Sequence, residues 1–352
     1  MAEIAFPETG LEFGVFDWIE SSAAAPAEIF EHKLQIAEVA DAAGFRGWHL
    51  AEHQGTPLSI DGAPSLMIAA AAQRTRRLRL GALTWCLPWY NPYRFYSEIC
   101  MLDHMSGGRL DLGVGRGVSL IESEFMGIRG VEESRARYRE TLDIFFAACG
   151  AAVLEFEGRY HSYKGLELQL KPLQQPYPPL WFPSSDPSSI EFTARHGYHT
   201  VVIGPPRAAK GLFERYREAW VRHRGEPGRH NAHVAAPKLG KLQHVLVAET
   251  DAEAMTAGLP AFRAWADHIH YLTRQRGLPD LMRNMDPASP DAVQRLVAGA
   301  PNTVAEQLAD IVRDSGTNYL LLVFSFGDLA LERAMHSMQL FVREVMPALR
   351  SV

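Results

Sequence analysis

Strand-like and helix-like segments alternate along almost the whole chain, and this alternation limits the fold more than any other property of the sequence. A strand, a helix and a second strand in series build parallel pairing, with helices covering the sheet. The first unit is complete in itself. Residues 11–18 read as a strand, Pro26 opens a helix where its fixed φ is suited, and Ile29, Phe30, Leu34, Ala37 and Ala40 recur at helical spacing until Gly44 ends it. Further strands are expected at 47–51, 78–87, 109–113, 180–183, 199–204, 243–248 and 318–324. Helices are expected at 65–74, 95–105, 138–149, from near Ser188, at 208–224, from near Asp251, and at 329–345. Between strands four and five, residues 153–170 alternate apolar and polar side chains around Gly158 and Gly165, the pattern of an inserted antiparallel β-hairpin.

Eight such units are the number that closes an α/β barrel of the (β/α)8, or TIM, type. An open doubly wound sheet has the same alternation and is the other arrangement that fits. The chain has 352 residues, within the roughly 200 to over 400 that one barrel occupies. No repeat or linker divides it, so residues 1–352 are expected to form a single domain.

Composition excludes several functions. The 35 Lys and Arg residues against 41 Asp and Glu leave a formal net charge of −6, which gives no positive field for nucleic acid or anionic lipid. No stretch of about 18 apolar residues suggests a membrane span, and the start of the chain lacks the basic and apolar regions of a secretory signal. Cys86, Cys100 and Cys149 are odd in number and widely spaced, so a reducing, cytoplasmic setting is expected. His49 and His53 stand four apart, yet at a strand end and without the H-E-x-x-H order, so no metal site is expected.

In a barrel, reactive groups gather at the C-terminal ends of the strands and in the loops that follow. His53, after strand two in Ala51-Glu52-His53-Gln54, can exchange a proton near neutral pH beside a carboxylate, or can be a structural residue. After strand four, Gly113-Val114-Gly115-Arg116-Gly117 lets a ligand approach the backbone, and Arg116 offers a planar donor for phosphate. Val118 stands where a dinucleotide fingerprint needs its last glycine. After strand five, Ser184, Ser185 and Ser188 surround the start of a helix, where amides and hydroxyls hold an anion or cap the helix. Aromatic residues at strand ends, Phe16, Trp18, Trp85, Phe324 and Phe326, are candidates for the wall of an apolar substrate pocket. Loops at 54–64, 118–134 and 277–290 would shape that pocket.

Taken together, Gly44-Phe45 through Ala51-Glu52-His53, Leu87-Pro88 with Asn91-Pro92 and Arg94, and Met101-Leu102-Asp103-His104-Met105-Ser106-Gly107-Gly108-Arg109 through Gly113-Val114-Gly115-Arg116-Gly117 carry a family resemblance. The sequence resembles the bacterial luciferase-like family of flavin-dependent monooxygenases. Weaker similarity continues through Ala298-Gly299-Ala300-Pro301 to residues 338–347. The resemblance implies a (β/α)8 barrel that takes reduced FMN from a separate flavin reductase, reacts it with O2 to a C4a-peroxyflavin, and oxygenates a small or medium-sized organic substrate. It implies a catalytic, proton-handling role for His53 and a non-prolyl cis peptide at Leu83-Thr84 under the flavin ring. It also implies cofactor binding by Gly115, Arg116 and the segment holding Ser184, Ser185 and Ser188, and a homodimer. Relatives within the family use the deazaflavin F420 instead, and a non-catalytic flavin-binding protein is a further alternative. Gly115 stands where bacterial luciferase has a reactive cysteine, and Gln54 where it has a second histidine, so light emission is not implied.

Overall fold

The computed structural model of the protein describes residues 5–60, 62–279 and 295–350. Its strands are β1 (Glu12–Asp17), β2 (Gly47–Leu50), β3 (Arg79–Ala82), β4 (Trp85–Cys86), β5 (Leu112–Gly115), β6 (Val153–Glu157), β7 (Ser162–Glu167), β8 (Leu180–Trp181), β9 (Thr200–Val202), β10 (Leu239–Val247), β11 (Leu296–Gly299) and β12 (Tyr319–Val323). Parallel pairing can be followed from strand to strand. β1 pairs with β2 and β2 with β3, and a bridge from Leu80 to Leu110 leads on to β5, which β4 also joins. β5 pairs with β8, Trp181 bridges to His199 ahead of β9, β9 pairs with β10, β10 with β12, and β12 returns to β1. An open doubly wound sheet has two edges, whereas this circuit closes on itself as a barrel does.

The helices are α1 (Pro26–Ala43), α2 (Pro64–Arg74), α3 (Pro92–Met105), α4 (Leu120–Phe125), α5 (Gly130–Gly150), α6 (Pro187–His196), α7 (Pro206–His223), α8 (Asp251–Gln275), α9 (Pro301–Ser315) and α10 (Leu331–Leu340). Proline opens α1, α2, α3, α6, α7 and α9, where its missing N–H costs nothing. The hairpin expected between strands four and five is present as β6 and β7, antiparallel and irregular between Leu154 and Phe156.

Several boundaries differ from expectation. The third strand breaks into β3 and β4 at Leu83-Thr84, whose peptide bond is cis. Residues 118–134 are not a loop throughout, because Ser119 caps α4 by accepting the Glu122 N–H at 3.3 Å, and α5 begins at Gly130. The final helix is regular to Leu340 and then widens into a π-helical turn, Phe341–Val345. β11 was not foreseen. The nine residues of β10 accommodate it, with Val323 on one side of His244 and Leu296 on the other. Of the loop at 277–290, residues 280–290 lie outside the described residues.

Polar side chains plug the N-terminal end of the barrel. Arg46 Nη1 and Arg79 Nε each donate to Asp111 at 2.7 Å, and His49 Nε2 lies 3.1 Å from the Tyr319 hydroxyl. Burial alone would raise the Asp111 carboxyl, but the two guanidinium groups override it and hold the group well below the usual carboxylate range. A Cβ on Gly14 would collide with the Tyr319 ring, so the barrel axis is filled by side chains at this level. The residues expected to carry the chemistry lie at the opposite end.

Candidate active site

A cavity of about 300 Å3 opens at the C-terminal ends of the strands, at the lower bound for small-molecule sites. Phe16, Trp18, His53, Leu83, Thr84, Gly115, Arg116 and Ser184 all border it, so residues from five separate stretches of sequence meet there.

His53 follows β2, and its ring is anchored from the side. Nδ1 faces Glu122 Oε1 and Oε2 at 3.1 and 3.2 Å, while the Gln54 N–H donates to Oε2 at 2.8 Å. The partner carboxylate is 3% exposed and belongs to the first turn of α4. With Nδ1 engaged, Nε2 is the ring nitrogen left for a ligand. The neighbouring Glu52 is committed elsewhere, because it accepts the Cys86 N–H and the Tyr90 hydroxyl, each at 2.6 Å. That pair of bonds fixes the chain just beyond the cis peptide. Cys86 also borders the cavity, but burial and then Glu52 push its thiol well up, which keeps it protonated and unreactive.

Arg116 borders the cavity without an ion pair or hydrogen bond to another described residue. Nearby, the Tyr138 hydroxyl is buried without a hydrogen-bond partner; burial raises its pKa and the charge of Arg116 opposes that rise. Ser184 and Ser189 complete this end. Asp186 caps α6 by accepting the Ser189 N–H at 3.0 Å. Gly115 has no Cβ, and one would collide with the Thr84 side chain.

The other end is apolar. Phe16 and Trp18 meet edge to face at 4.6 Å, Trp18 stacks on His244, and Ile269 and Leu272 of α8 form the facing wall. Burial pushes His244 down to about 3, so at neutral pH it packs as an uncharged ring. α8 is held in place by His268, whose Nδ1 lies 2.8 Å from Glu20.

Five candidates lie elsewhere. Trp85 is buried against Phe95 and donates to Ser65 Oγ at 3.0 Å, because the alternation of β4 turns it toward the helices and turns Cys86 inward. Phe324 packs among Phe45 and Phe341 outside the barrel, and Phe326 packs against His244. Ser185 donates to Ile203 O at 3.2 Å, and Ser188 bonds to the capping Asp186; neither borders the cavity. Glu122 and Ser189 also border the cavity, and nothing in the sequence singles them out. Among the described residues no group of His, Cys, Asp and Glu could hold a metal, and no helix is long and apolar enough to cross a membrane.

The sequence profile of the luciferase-like monooxygenase family matches residues 11–319. The chain belongs to this family. It is therefore an enzyme of the luciferase-like oxidoreductase group, several of whose members are flavin-dependent monooxygenases. The uncharacterised protein y4wF of Sinorhizobium fredii is 32% identical over 339 residues, covering 96% of each chain. The oxygenase component of a flavin-dependent trigonelline monooxygenase from Acinetobacter baylyi is 25% identical over 339 residues, covering 91% of this chain and 90% of that one. Monooxygenase RslO1 from Streptomyces bottropensis has the same fold, with a TM-score of 0.81 at 24% identity over 96% of this chain and 99% of that one. The FMN-bound oxygenating constituent of 3,6-diketocamphane monooxygenase from Pseudomonas putida superposes with a TM-score of 0.75 at 21% identity over 96% and 99%.

Proposed function

We propose that the protein is the oxygenase of a two-component system, using O2 and reduced FMN from a separate flavin reductase to oxygenate a small or medium-sized organic substrate. The observation that carries this reading is the unpaired Arg116 at the polar end of a cavity whose other end is apolar, with the buried and unsatisfied Tyr138 hydroxyl, outside the lining, within reach of its charge. A phosphate would satisfy both groups. The name of the Acinetobacter relative, an oxygenase component, supports the separate reductase.

Arg116, Tyr138, Ser184 and Ser189 would hold the FMN phosphate, while Leu83, Thr84 and Gly115 would lie under the ring. When bound, reduced FMN supplies the two electrons that allow one atom of O2 to enter the substrate and the other to leave as water. His53 presents Nε2 to the space beside the ring and gives or takes one proton there. Phe16, Trp18, Ile269 and Leu272 exclude water from that space and receive the apolar body of the substrate. Leu66 of α2 with Met101 and Met105 of α3 are exposed, which supports a homodimer through that face. Three unpaired cysteines support a reducing, cytoplasmic setting.

The test is to mix the protein anaerobically with reduced FMN, add O2, and follow flavin reoxidation. Reoxidation slowed relative to free flavin, with a transient spectrum absent without protein, is the expected result. Reoxidation at the rate of free flavin would overturn the FMN assignment and make reduced F420 the next ligand, since a solved F420-dependent secondary alcohol dehydrogenase has this fold at a TM-score of 0.73.

A further inference from the structure

We infer that Glu122 is the positioning residue for His53, holding the imidazole with its proton on Nδ1 so that Nε2 meets the cavity as a proton acceptor. The inference rests on the proposed role of His53 and extends it to a carboxylate 69 residues away in sequence. Three observations fix the arrangement. The ring edge at Nδ1 faces both Glu122 oxygens nearly equally, at 3.1 and 3.2 Å. The side chain is buried and its Oε2 already accepts the Gln54 N–H, so with the carboxylate as acceptor Nδ1 donates. Ser119 accepts the Glu122 N–H, which sets the first turn of α4 and aims the side chain.

The other carboxylate in the wall does not compete. Glu52 accepts from the Cys86 N–H and the Tyr90 hydroxyl and is turned toward the segment after the cis peptide. His53 is therefore oriented by one acidic partner, and the tautomer that partner selects leaves a lone pair on Nε2. A neutral ring in this state takes a proton first and returns it afterwards. The same carboxylate joins the loop after β2 to the segment after β5, so the orientation of the ring depends on α4 staying in place.

The test reads the tautomer directly by histidine nitrogen-15 NMR in the flavin-free protein, at mildly alkaline pH where a free imidazole is neutral. His53→Asn identifies the His53 signals among the 14 histidines. The expected result is an Nδ1–H form about tenfold or more in excess, a loss of that excess in Glu122→Gln, and its retention in Glu122→Asp, which keeps the carboxylate if the glutamine variant folds poorly. A wild-type ring protonated on Nε2, or a ratio unchanged in Glu122→Gln, would overturn the inference. Flavin reoxidation supplies the second readout. Glu122→Gln should change it in the wild-type background and add nothing in the His53→Asn background, whereas additive effects would mean that Glu122 acts independently of His53. If the tautomer behaves as expected while neither variant alters reoxidation, the flavin reading fails and the positioning role stands on the spectrum.

Discussion

Tyr138 carries a hydroxyl that burial has cut off from water and that no neighbour satisfies. Leaving such a group unbonded costs about 1–3 kcal/mol. Tyr138→Phe should therefore leave the flavin-free protein as stable as before, or more stable by up to about that amount, while weakening reduced FMN several-fold. Thermal unfolding and anaerobic titration give the two readings, and a variant that loses stability but keeps affinity would place the hydroxyl outside the cofactor site. Arg116→Ala should cost about 1.5–3 kcal/mol of binding, roughly 10- to 100-fold in Kd, because a charged hydrogen bond is lost. An unchanged Kd would remove Arg116 from the phosphate site. Both residues face the same ligand in this reading, yet only Arg116 was legible in the sequence, from its place in a glycine-rich strand end. Tyr138 lies on α5 at helical spacing with Leu142 and Phe145, and there a tyrosine reads as core. Glu122 was hidden because its tie to His53 exists only after folding. Ser188 and Ser189 are one residue apart, but a helix turns about 100° per residue, so one borders the cavity and the other the cap.

At the scale of elements, β10 contains a charge that the sequence gives no reason to bury. Lys241 is 2% exposed, and its Nζ donates to Leu242 O at 2.8 Å. Burial, then the charge of Arg295, lowers Lys241 from 10.5 to about 7. An unfolded lysine keeps its proton up to about pH 10.5, so between about pH 7 and that value the unfolded chain binds the extra proton and stability rises with pH. Lys241→Met should remove this dependence. The variant should be more stable by an amount on the order of a few kcal/mol at and below pH 7, with the gap closing toward pH 10.5. Unfolding measured across that range checks it, and a gap that stays constant would mean that the lysine keeps its proton. The eight barrel strands were legible because each is an apolar run bounded by turn residues. α4, with six residues, is too short to show a helical period. The division of the third strand came from family resemblance, since no periodicity marks Leu83-Thr84.

The whole molecule divides its polar groups between the two ends of the barrel, the Asp111 plug at one and the cavity at the other. Counting alternating units gave the number of strands but not closure, because parallel strands read alike in an open sheet and in a barrel. Closure is visible in the return from β12 to β1, and the polar plug at the N-terminal end contributes to it. Arg46 precedes β2, Arg79 opens β3 and Asp111 precedes β5, so this one carboxylate ties together three neighbouring stretches of the wall. Asp111→Asn leaves two guanidinium groups buried without their counter-charge, and breaking a pair of this kind costs about 3–5 kcal/mol. The pH dependence follows from the depressed pKa. Because the folded carboxyl titrates well below the usual range, its contribution is fully present above about pH 4, where an unfolded aspartate is already ionised, and is lost as pH falls below that value. The stability gap between wild type and Asp111→Asn should therefore be widest near neutral pH and shrink as pH falls below about 4. Flavin binding at the opposite end should survive the substitution at temperatures where the variant remains folded. Equal acid sensitivity in the two proteins would show that Asp111 is not the group that titrates, and the plug would then owe its stability to packing around Trp181 and Tyr319.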